Sequence, residues 1–119
     1  MAHSQHKLQI TISDLRSSDG VVSIELFDKD ENSIKGETAT ITGDSCVMTV
    51  EGLKEGEYAV RCFHDENSDK ELETNWIGIP KEGIGFSNDA FGKFGPKDFE
   101  EWLFEVKGDT KIRISTKYF

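Results

Sequence analysis

Residues 58–64 read YAVRCFH, and this stretch decides the fold. Within it Tyr58, Val60 and Cys62 alternate with the residues between them, a period of two that is typical of a strand with one face toward a core. The alternation ends at His64, and an irregular segment then runs to Pro96. The sequence therefore predicts a β-strand that leads directly into a long loop.

Six further stretches have the same period of two, and turns rich in Gly, Asp, Asn and Ser separate them. The predicted strands are A (8–13), B (21–27), C (36–42), D (46–50), E (58–64), F (102–106) and G (112–118). Strand C is Thr-rich and has the weakest pattern, so we expect it at a sheet edge. Seven short strands without an amphipathic helix predict an all-β fold, a seven-stranded antiparallel Greek-key β-sandwich of the immunoglobulin-like kind. A looser resemblance of 56-GEYAV-60 to transthyretin-like sandwiches implies the transthyretin-like kind as the alternative.

The length of 119 residues fits one domain. We expect residues 1–6 to be a disordered N-terminal remnant and residues 7–119 to form the single sandwich domain. The chain has 14 Lys and Arg against 23 Asp and Glu, a net charge of -9, which disfavours nucleic acid and anionic lipid as partners. No apolar run approaches the roughly 20 residues needed to cross a bilayer, so we expect no membrane span. We also expect a monomer.

The two cysteines, Cys46 and Cys62, fall on predicted strands D and E. If these strands form a hairpin that opposes Val50 with Tyr58, the same register opposes Cys46 with Cys62. Directly opposed residues lie within the Cα range that a disulfide accepts. Two buried free thiols that pack as small apolar residues are the alternative. The pattern does not choose between the two.

The segment between strands E and F has no sustained period, yet it is too apolar for a disordered linker. A loop of this length needs side-chain anchors, so we expect it to be ordered and packed on the domain. Its aromatic rings are also a candidate surface for an unknown protein or carbohydrate partner. The candidate ligand-binding residues are His64, Trp76, Phe86, Asn88, Phe91 and Phe94.

Oxygen-bearing side chains occupy alternate positions at the start of this loop. Calcium takes 6 to 8 oxygen ligands, and loops supply them with this spacing. The candidate metal ligands are Asp65, Asn67, Asp69, Glu71, Glu73 and Asn75. Lys70 stands where the calcium-loop pattern requires Gly, and Trp76 where it requires a bidentate Glu, which excludes the helix-flanked calcium hand.

A variant calcium site would recruit a distant acid, such as Asp89, or Asp14 or Asp19 from the loop expected at the same end of the sandwich. The alternative is a solvated loop rich in Asx turns. Zinc is disfavoured because His64 has no evident partner histidine. The similar alternation at residues 28–32 is interpreted as a turn.

A catalytic interpretation would pair His64 with Asp65 and use Ser87 as nucleophile. Neighbouring strand residues point to opposite faces, however, so the first two side chains are poorly placed to pair. Ser87 lacks the Gly-x-Ser-x-Gly elbow of a strand-to-helix turn. We therefore favour a non-enzymatic protein in which His64 ends the strand and its ring caps the loop by a hydrogen bond.

Five short stretches of the chain together resemble a bacterial family catalogued as domain of unknown function 2141. They are 56-GEYAV-60, 64-HDEN-67, 74-TNWIGIPKEG-83, 85-GFSN-88 and 94-FGP-96. The resemblance implies a small exported β-sandwich protein, periplasmic or extracellular, that is usually made with a signal peptide and has no established activity. This chain departs from the family at Ser68–Glu71, where members often have a Gly-rich sequence.

The sequence thus predicts an exported binding or structural module with calcium as its candidate stabilising ion. The alternative function is a small-molecule carrier or hydrolase with a pocket under the 76–96 loop near His64. That alternative requires a concave cavity near His64.

Overall fold

A computed structural model of the chain describes residues 5–66, 83–92, 95–96 and 98–118. These residues form ten strands and two short 3₁₀ turns. The strands are β1 (His6–Ser13), β2 (Val21–Asp28), β3 (Ser33–Thr40), β4 (Cys46–Leu53), β5 (Gly56–Asp65), β6 (Ile84–Phe86), β7 (Phe91–Gly92), β8 (Gly95–Pro96), β9 (Phe104–Val106) and β10 (Thr110–Ser115). The turns are Ser87–Asp89 and Phe99–Trp102. Across the described ranges, no helix has the length and apolar character to cross a membrane.

Eight of these strands form two sheets. The first has the order β10-β1-β4, and the second has the order β3-β2-β5, with β6 and β9 each paired to β5. The pairing within both sheets is antiparallel except between β1 and β10, which run parallel. The all-β prediction is confirmed in this form, with eight described strands in the two sheets where the sequence predicted seven.

Both sheets contribute to one hydrophobic core. The alternation seen in the sequence places one face of each long central strand in it, since Ile10 on β1 and Leu26 on β2 have no exposed surface. Full burial of such a side chain contributes roughly 1.5–3 kcal/mol. The largest fully buried apolar members are Leu8, Ile10, Ile12, Val22, Ile24, Leu26, Val60, Val106 and Ile114.

The predicted hairpin between strands D and E is wrong. Strand β4 pairs with β1, which opposes Met48 with Ile10, whereas β5 pairs with β2 in the other sheet. The register that opposed Cys46 with Cys62 therefore does not exist. A period of two fixes the face that a side chain takes, but it does not identify the neighbouring strand.

Predicted strand C lies at an edge of the described sheet, as expected, although β3 begins and ends earlier than the sequence suggested. The described parts of the predicted long loop also contain regular structure. In particular, β6 joins the second sheet next to β5. At the other end of the chain, β1 begins at His6, inside the segment expected to be disordered.

Candidate functional site

One end of the two sheets carries several of the described polar side chains that the sequence singled out, among them Asp14, Asp19, His64 and Asp65. Here β5 ends, β2 and β6 begin, and the chain leaves β1 and β10. Five residues from three separate parts of the sequence form what we call the end cluster: Arg16, Asp19, His64, Glu66 and Tyr118.

His64 is the centre of the end cluster and has no exposed surface. Its Nε2 lies 2.7 Å from the backbone oxygen of Asp19, and because a carbonyl only accepts, Nε2 carries the proton and donates it. Its Nδ1 lies 2.7 Å from the Tyr118 hydroxyl. In the neutral imidazole only one nitrogen carries a proton, so with Nε2 as the donor Nδ1 accepts from this hydroxyl. The ring is hydrogen-bonded, but both of its partners lie outside the loop that the sequence predicted it to cap. Both ring nitrogens are engaged, so neither is free to act as a catalytic base in this arrangement.

Arg16 ties the remaining members together. Its guanidinium forms an ion pair with Glu66, with an Nε to Oε2 distance of 3.1 Å, and Ser17 Oγ donates to the same oxygen at 3.1 Å. The hydrogen bond from Arg16 holds the pKa of Glu66 below its ordinary value. The guanidinium also lies 4.6 Å from the centre of the Tyr118 ring, at cation–π distance.

Tyr118 is bound from two sides. Its hydroxyl accepts the backbone N–H of Arg16 at 3.0 Å while it donates to His64. Partial burial raises the pKa of Tyr118 above its ordinary value. The phenol therefore stays neutral and keeps its proton for the imidazole.

The backbone around the end cluster is closely packed. Gly20 has φ +70°, and a Cβ at this position would lie 2.0 Å from the carbonyl oxygen of Asp65. The N–H of His64 donates to the carbonyl of Gly83 at 2.8 Å. The residues that border segment 67–82 on its two sides, Glu66 and Gly83, are therefore held by the same part of the fold.

The candidate calcium ligands are only partly within the described residues. Asp65 is buried at the end of β5, with 1% of its surface exposed. The other candidate ligands lie outside the described residues: Asn67, Asp69, Glu71, Glu73 and Asn75. Where the chain is described, no three His, Cys, Asp or Glu side chains come together as a group that could hold a metal ion.

The distant acids proposed as further ligands do lie at this end. Asp14 Oδ2 accepts the Ser115 hydroxyl at 2.6 Å, and Asp89 Oδ1 accepts the Ser115 backbone N–H at 2.9 Å. Asp19 uses its backbone carbonyl for His64. In the structure these contacts fix the start of the β1–β2 connection and the turn after β6 to the end of β10.

Phe86 belongs to a second cluster, separate from the main core, in which three of the six buried members are aromatic and which includes Phe27 and Ala59 of the second sheet. Its ring is 2% exposed and lies 4.4 Å from the ring of Trp102, which in turn contacts Phe99 at 5.2 Å between centroids. Phe86 is therefore a packing anchor of its segment. Of the other aromatic candidates, Phe91 lies on β7, and Trp76 and Phe94 lie outside the described residues.

Ser87 and Asn88 have structural roles as well. The Ser87 hydroxyl is fully buried, donates to the carbonyl of Trp102 at 2.5 Å and accepts the N–H of Val60 at 2.9 Å. The Asn88 amide donates to the carbonyl of Leu103 at 2.8 Å. Both side chains fasten the segment after β6 to its neighbours.

Both cysteines are buried free thiols. Burial raises the pKa of Cys46 to about 11 and raises that of Cys62 still further, with the neighbouring Cys46 adding to the second shift. Neither sulfur is a reactive thiolate near neutral pH.

The turn predicted at residues 28–32 is present. Asp28 Oδ1 accepts the backbone N–H groups of Asp30 at 2.9 Å and Asn32 at 3.0 Å, which is an Asx-type turn. These bonds lower the pKa of Asp28.

Sequence reasoning missed Arg16 and Tyr118. Their place in the end cluster depends on the parallel pairing of β1 with β10, which brings together residues about 100 positions apart in the chain. No local pattern reports such a pairing.

Comparison with known families matches residues 10–114 to the family described as "Uncharacterized protein conserved in bacteria (DUF2141)". No curated protein and no solved structure matches the chain.

Proposed function

The chain belongs to the DUF2141 family of uncharacterised bacterial proteins, and we propose that it is a non-enzymatic binding module. In this proposal the two sheets are a rigid scaffold, and the segment 67–82 is the recognition element. Binding residues are often placed on loops that a rigid scaffold positions.

The observation that carries the proposal is the hydrogen bond from the N–H of His64 to the carbonyl of Gly83. It joins the two sides from which segment 67–82 starts and ends. The end cluster then fastens this junction to the β1–β2 connection and to the C-terminal segment. A buried imidazole and an ion pair hold this junction. Such a scaffold is well suited to position segment 67–82 for recognition.

The chemistry of His64 and Ser87 also supports a binding role over hydrolysis. Both ring nitrogens of His64 and the hydroxyl of Ser87 are buried and already hydrogen-bonded within the protein. A nucleophile and base would need these groups to face a substrate.

We further propose that calcium stabilises the module through the acidic positions of residues 65–75. Support comes from the alternate carboxylates and amides of that sequence and from the location of Asp14, Asp19 and Asp89 at the same end. At a calcium concentration 100 times the dissociation constant, linkage predicts about 2.7 kcal/mol of added stability.

The test is a calcium titration followed by thermal unfolding and by amide NMR. We expect a higher melting temperature and shifts confined to residues 65–75 and their neighbours. Asp69→Asn should weaken both effects, whereas Asp30→Asn, a matched change in the Asx-type turn, should leave them intact. Unchanged melting and unchanged amide signals at millimolar calcium would reject the calcium part of the proposal.

The binding part is tested separately with a library of peptides and glycans probed against the protein and its Trp76→Ala variant. A ligand whose binding depends on Trp76, or on another residue of 67–82, supports the recognition role. A ligand that binds elsewhere on the scaffold with full affinity in variants of 67–82 contradicts it.

We also propose a Greek-key sandwich of the transthyretin-like kind for the two sheets. In the immunoglobulin constant arrangement the first strand pairs with the second. Here β1 pairs with β4 and β10 instead, which favours the transthyretin-like alternative. Export to the periplasm or medium is proposed from the family resemblance, and cell fractionation of the natural gene product tests it.

A further inference from the structure

Strand β3 has a free edge in the described part of the fold. It pairs with β2 on one side, and no described strand pairs with its other side. Every residue of β3 is exposed except the half-buried Ala39. One of the two large apolar side chains that are exposed in the described residues, Ile34 at 46%, also lies on this strand.

The direction of the free hydrogen-bonding groups follows from neighbouring contacts. His64 uses its N–H toward Gly83, away from β2, so its cross-strand partner Val22 directs its own backbone groups toward β3. Asp28, also an even-numbered residue of β2, donates its N–H to Asn32 on the β3 side at 3.0 Å. The even-numbered residues of β2 therefore bond toward β3, where Leu26 pairs with Lys35 and Ile24 with Glu37. The residues that alternate with these two on β3, Gly36 and Thr38, present their N–H and C=O groups outward.

We propose that this edge pairs with the same edge of a second copy of the chain, antiparallel and with Gly36 opposite Gly36 of the other copy. This pairing opposes Lys35 with Glu37 of the other copy, and by two-fold symmetry it does so twice. These are non-hydrogen-bonded positions, where opposed side chains come closest. The result is one continuous sheet through both chains.

Charge selects this register over its neighbours. Centring the pairing on Glu37 or on Lys35 places like charges directly opposite each other, which is unfavourable. Centring it on Thr38 moves the charges past each other, with Glu37 opposite Ala39. Only the Gly36-centred register matches opposite charges on both sides of the axis.

The environment of Gly36 permits the close approach. A Cβ at this position would meet only the carbonyl of Ile24, at 3.9 Å, so the sheet face above Gly36 is open, and no described strand occupies the edge beside it. Lys35 and Glu37 already contact each other within the strand at 3.1 Å, and their side chains are 43% and 47% exposed. They are therefore available to a partner strand without disturbing the core.

The contact is small compared with the roughly 1,600 Å² of a standard interface, so the dimer should be weak and concentration-dependent. It differs from the monomer expected from the sequence, and it does not depend on the recognition role of segment 67–82. Charged side chains on an edge strand, here Lys35 and Glu37, also discourage pairing with unrelated strands. In this register they become the element that selects an identical partner.

The test is sedimentation equilibrium of the chain from micromolar to millimolar concentration. We expect the average mass to rise toward that of two chains. Glu37→Lys should weaken the association about tenfold or more, because it turns two attractive pairs into repulsive ones. Lys35→Glu should do the same, and the double variant with both changes should restore the association.

The matched control is Glu105→Lys. Glu105 forms an equivalent exposed pair with Lys107, two residues away at 3.5 Å, and its reversal changes the net charge by the same amount. It should leave the association unchanged. Thr38→Pro removes an outward N–H without removing a bond to β2, so this variant should fold and remain a monomer.

Amide exchange provides a second measurement. The N–H groups of Gly36 and Thr38 should gain protection as concentration rises, while those of Lys35 and Glu37 should be protected at every concentration. A single-chain mass at all concentrations overturns the proposal and leaves the edge to a strand of another protein. A dimer that is indifferent to Glu37→Lys and Thr38→Pro overturns it as well.

Discussion

Tyr118→Phe removes one oxygen atom from the end cluster and tests how much the cluster contributes to stability. The lost hydroxyl donates to His64 Nδ1 at 2.7 Å and accepts the N–H of Arg16 at 3.0 Å. Since His64 has no exposed surface, its Nδ1 is left as a buried acceptor without a partner. The Arg16 N–H lies at an exposed position, so water can replace its bond.

The expected cost follows from this asymmetry. A buried acceptor left unsatisfied costs about 1–3 kcal/mol, a sizeable part of the roughly 5–15 kcal/mol that stabilises a typical domain. Tyr58→Phe is the matched control, because the Tyr58 hydroxyl donates at 2.7 Å to the carbonyl of Lys54, which is an exposed residue. Its loss should cost only about 0.5–1.5 kcal/mol.

The assay is urea unfolding of the two variants beside the parent chain, with an unchanged m-value as the sign that only stability has altered. The ¹⁵N shift of His64 Nδ1 should also move in Tyr118→Phe alone, and exchange at the His64 amide should become faster. A loss no larger than that of Tyr58→Phe, together with an unchanged ring shift, would refute the claim that this hydrogen bond organises the end cluster.

Three further predictions concern the backbone, the pH response and the thiols. Gly20→Ala should lower the free energy of unfolding by about 1–2 kcal/mol because of the left-handed backbone, and by about 1–3 kcal/mol more because its Cβ overlaps the carbonyl of Asp65. Gly43→Ala, at φ +66° with no atom within 4 Å of the added Cβ, should lose only the backbone contribution, and urea unfolding measures both. Because the folded state lowers the pKa of Glu66 below its ordinary value, the stability that the ionised carboxylate contributes is present above the ordinary pKa and is lost as the pH falls through the lowered one. Glu66→Gln should flatten this acid-side decline, and an equal decline in both proteins would contradict it. Cys46 and Cys62 should resist alkylation in the native protein and react fully after unfolding, and an unreduced mass lower by two hydrogens would show instead that they form a disulfide.

The sequence identified the strands because burial of one face leaves a local trace. Tyr58, Val60 and Cys62 alternate with more exposed or differently packed neighbours, and the same holds in the first strand. The exposed edge position of β3 was also predictable from its Thr-rich, weakly patterned sequence. These features depend only on residues close together in the chain.

Strand partners were not predictable in the same way. Met48 opposes Ile10 and Val60 opposes Leu26, but either apolar face would also have fitted the predicted hairpin. The choice is made by the shared core, in which all the faces must fit together at once. The disulfide, one of the two alternatives for Cys46 and Cys62, rested on that hairpin, so its geometric basis was lost with it.

The candidate site was predictable in part. His64 could be assigned a hydrogen-bonding role because it ends a strand, but its partners, Tyr118 and the carbonyl of Asp19, could not be named. Asp14 and Asp89 were expected near one end, yet their common partner Ser115 was not. In each case the missing information is a contact between residues far apart in the chain.

The parallel pairing of β1 with β10 sets the order of events when the protein is made. Strand β1 cannot complete its hydrogen bonding until β10 has left the ribosome, since Ser13 pairs with Ser115. Closure across about 100 residues is a slow, high-contact-order step. During synthesis β1 therefore lacks this neighbour, and its sheet stays incomplete, until β10 has emerged.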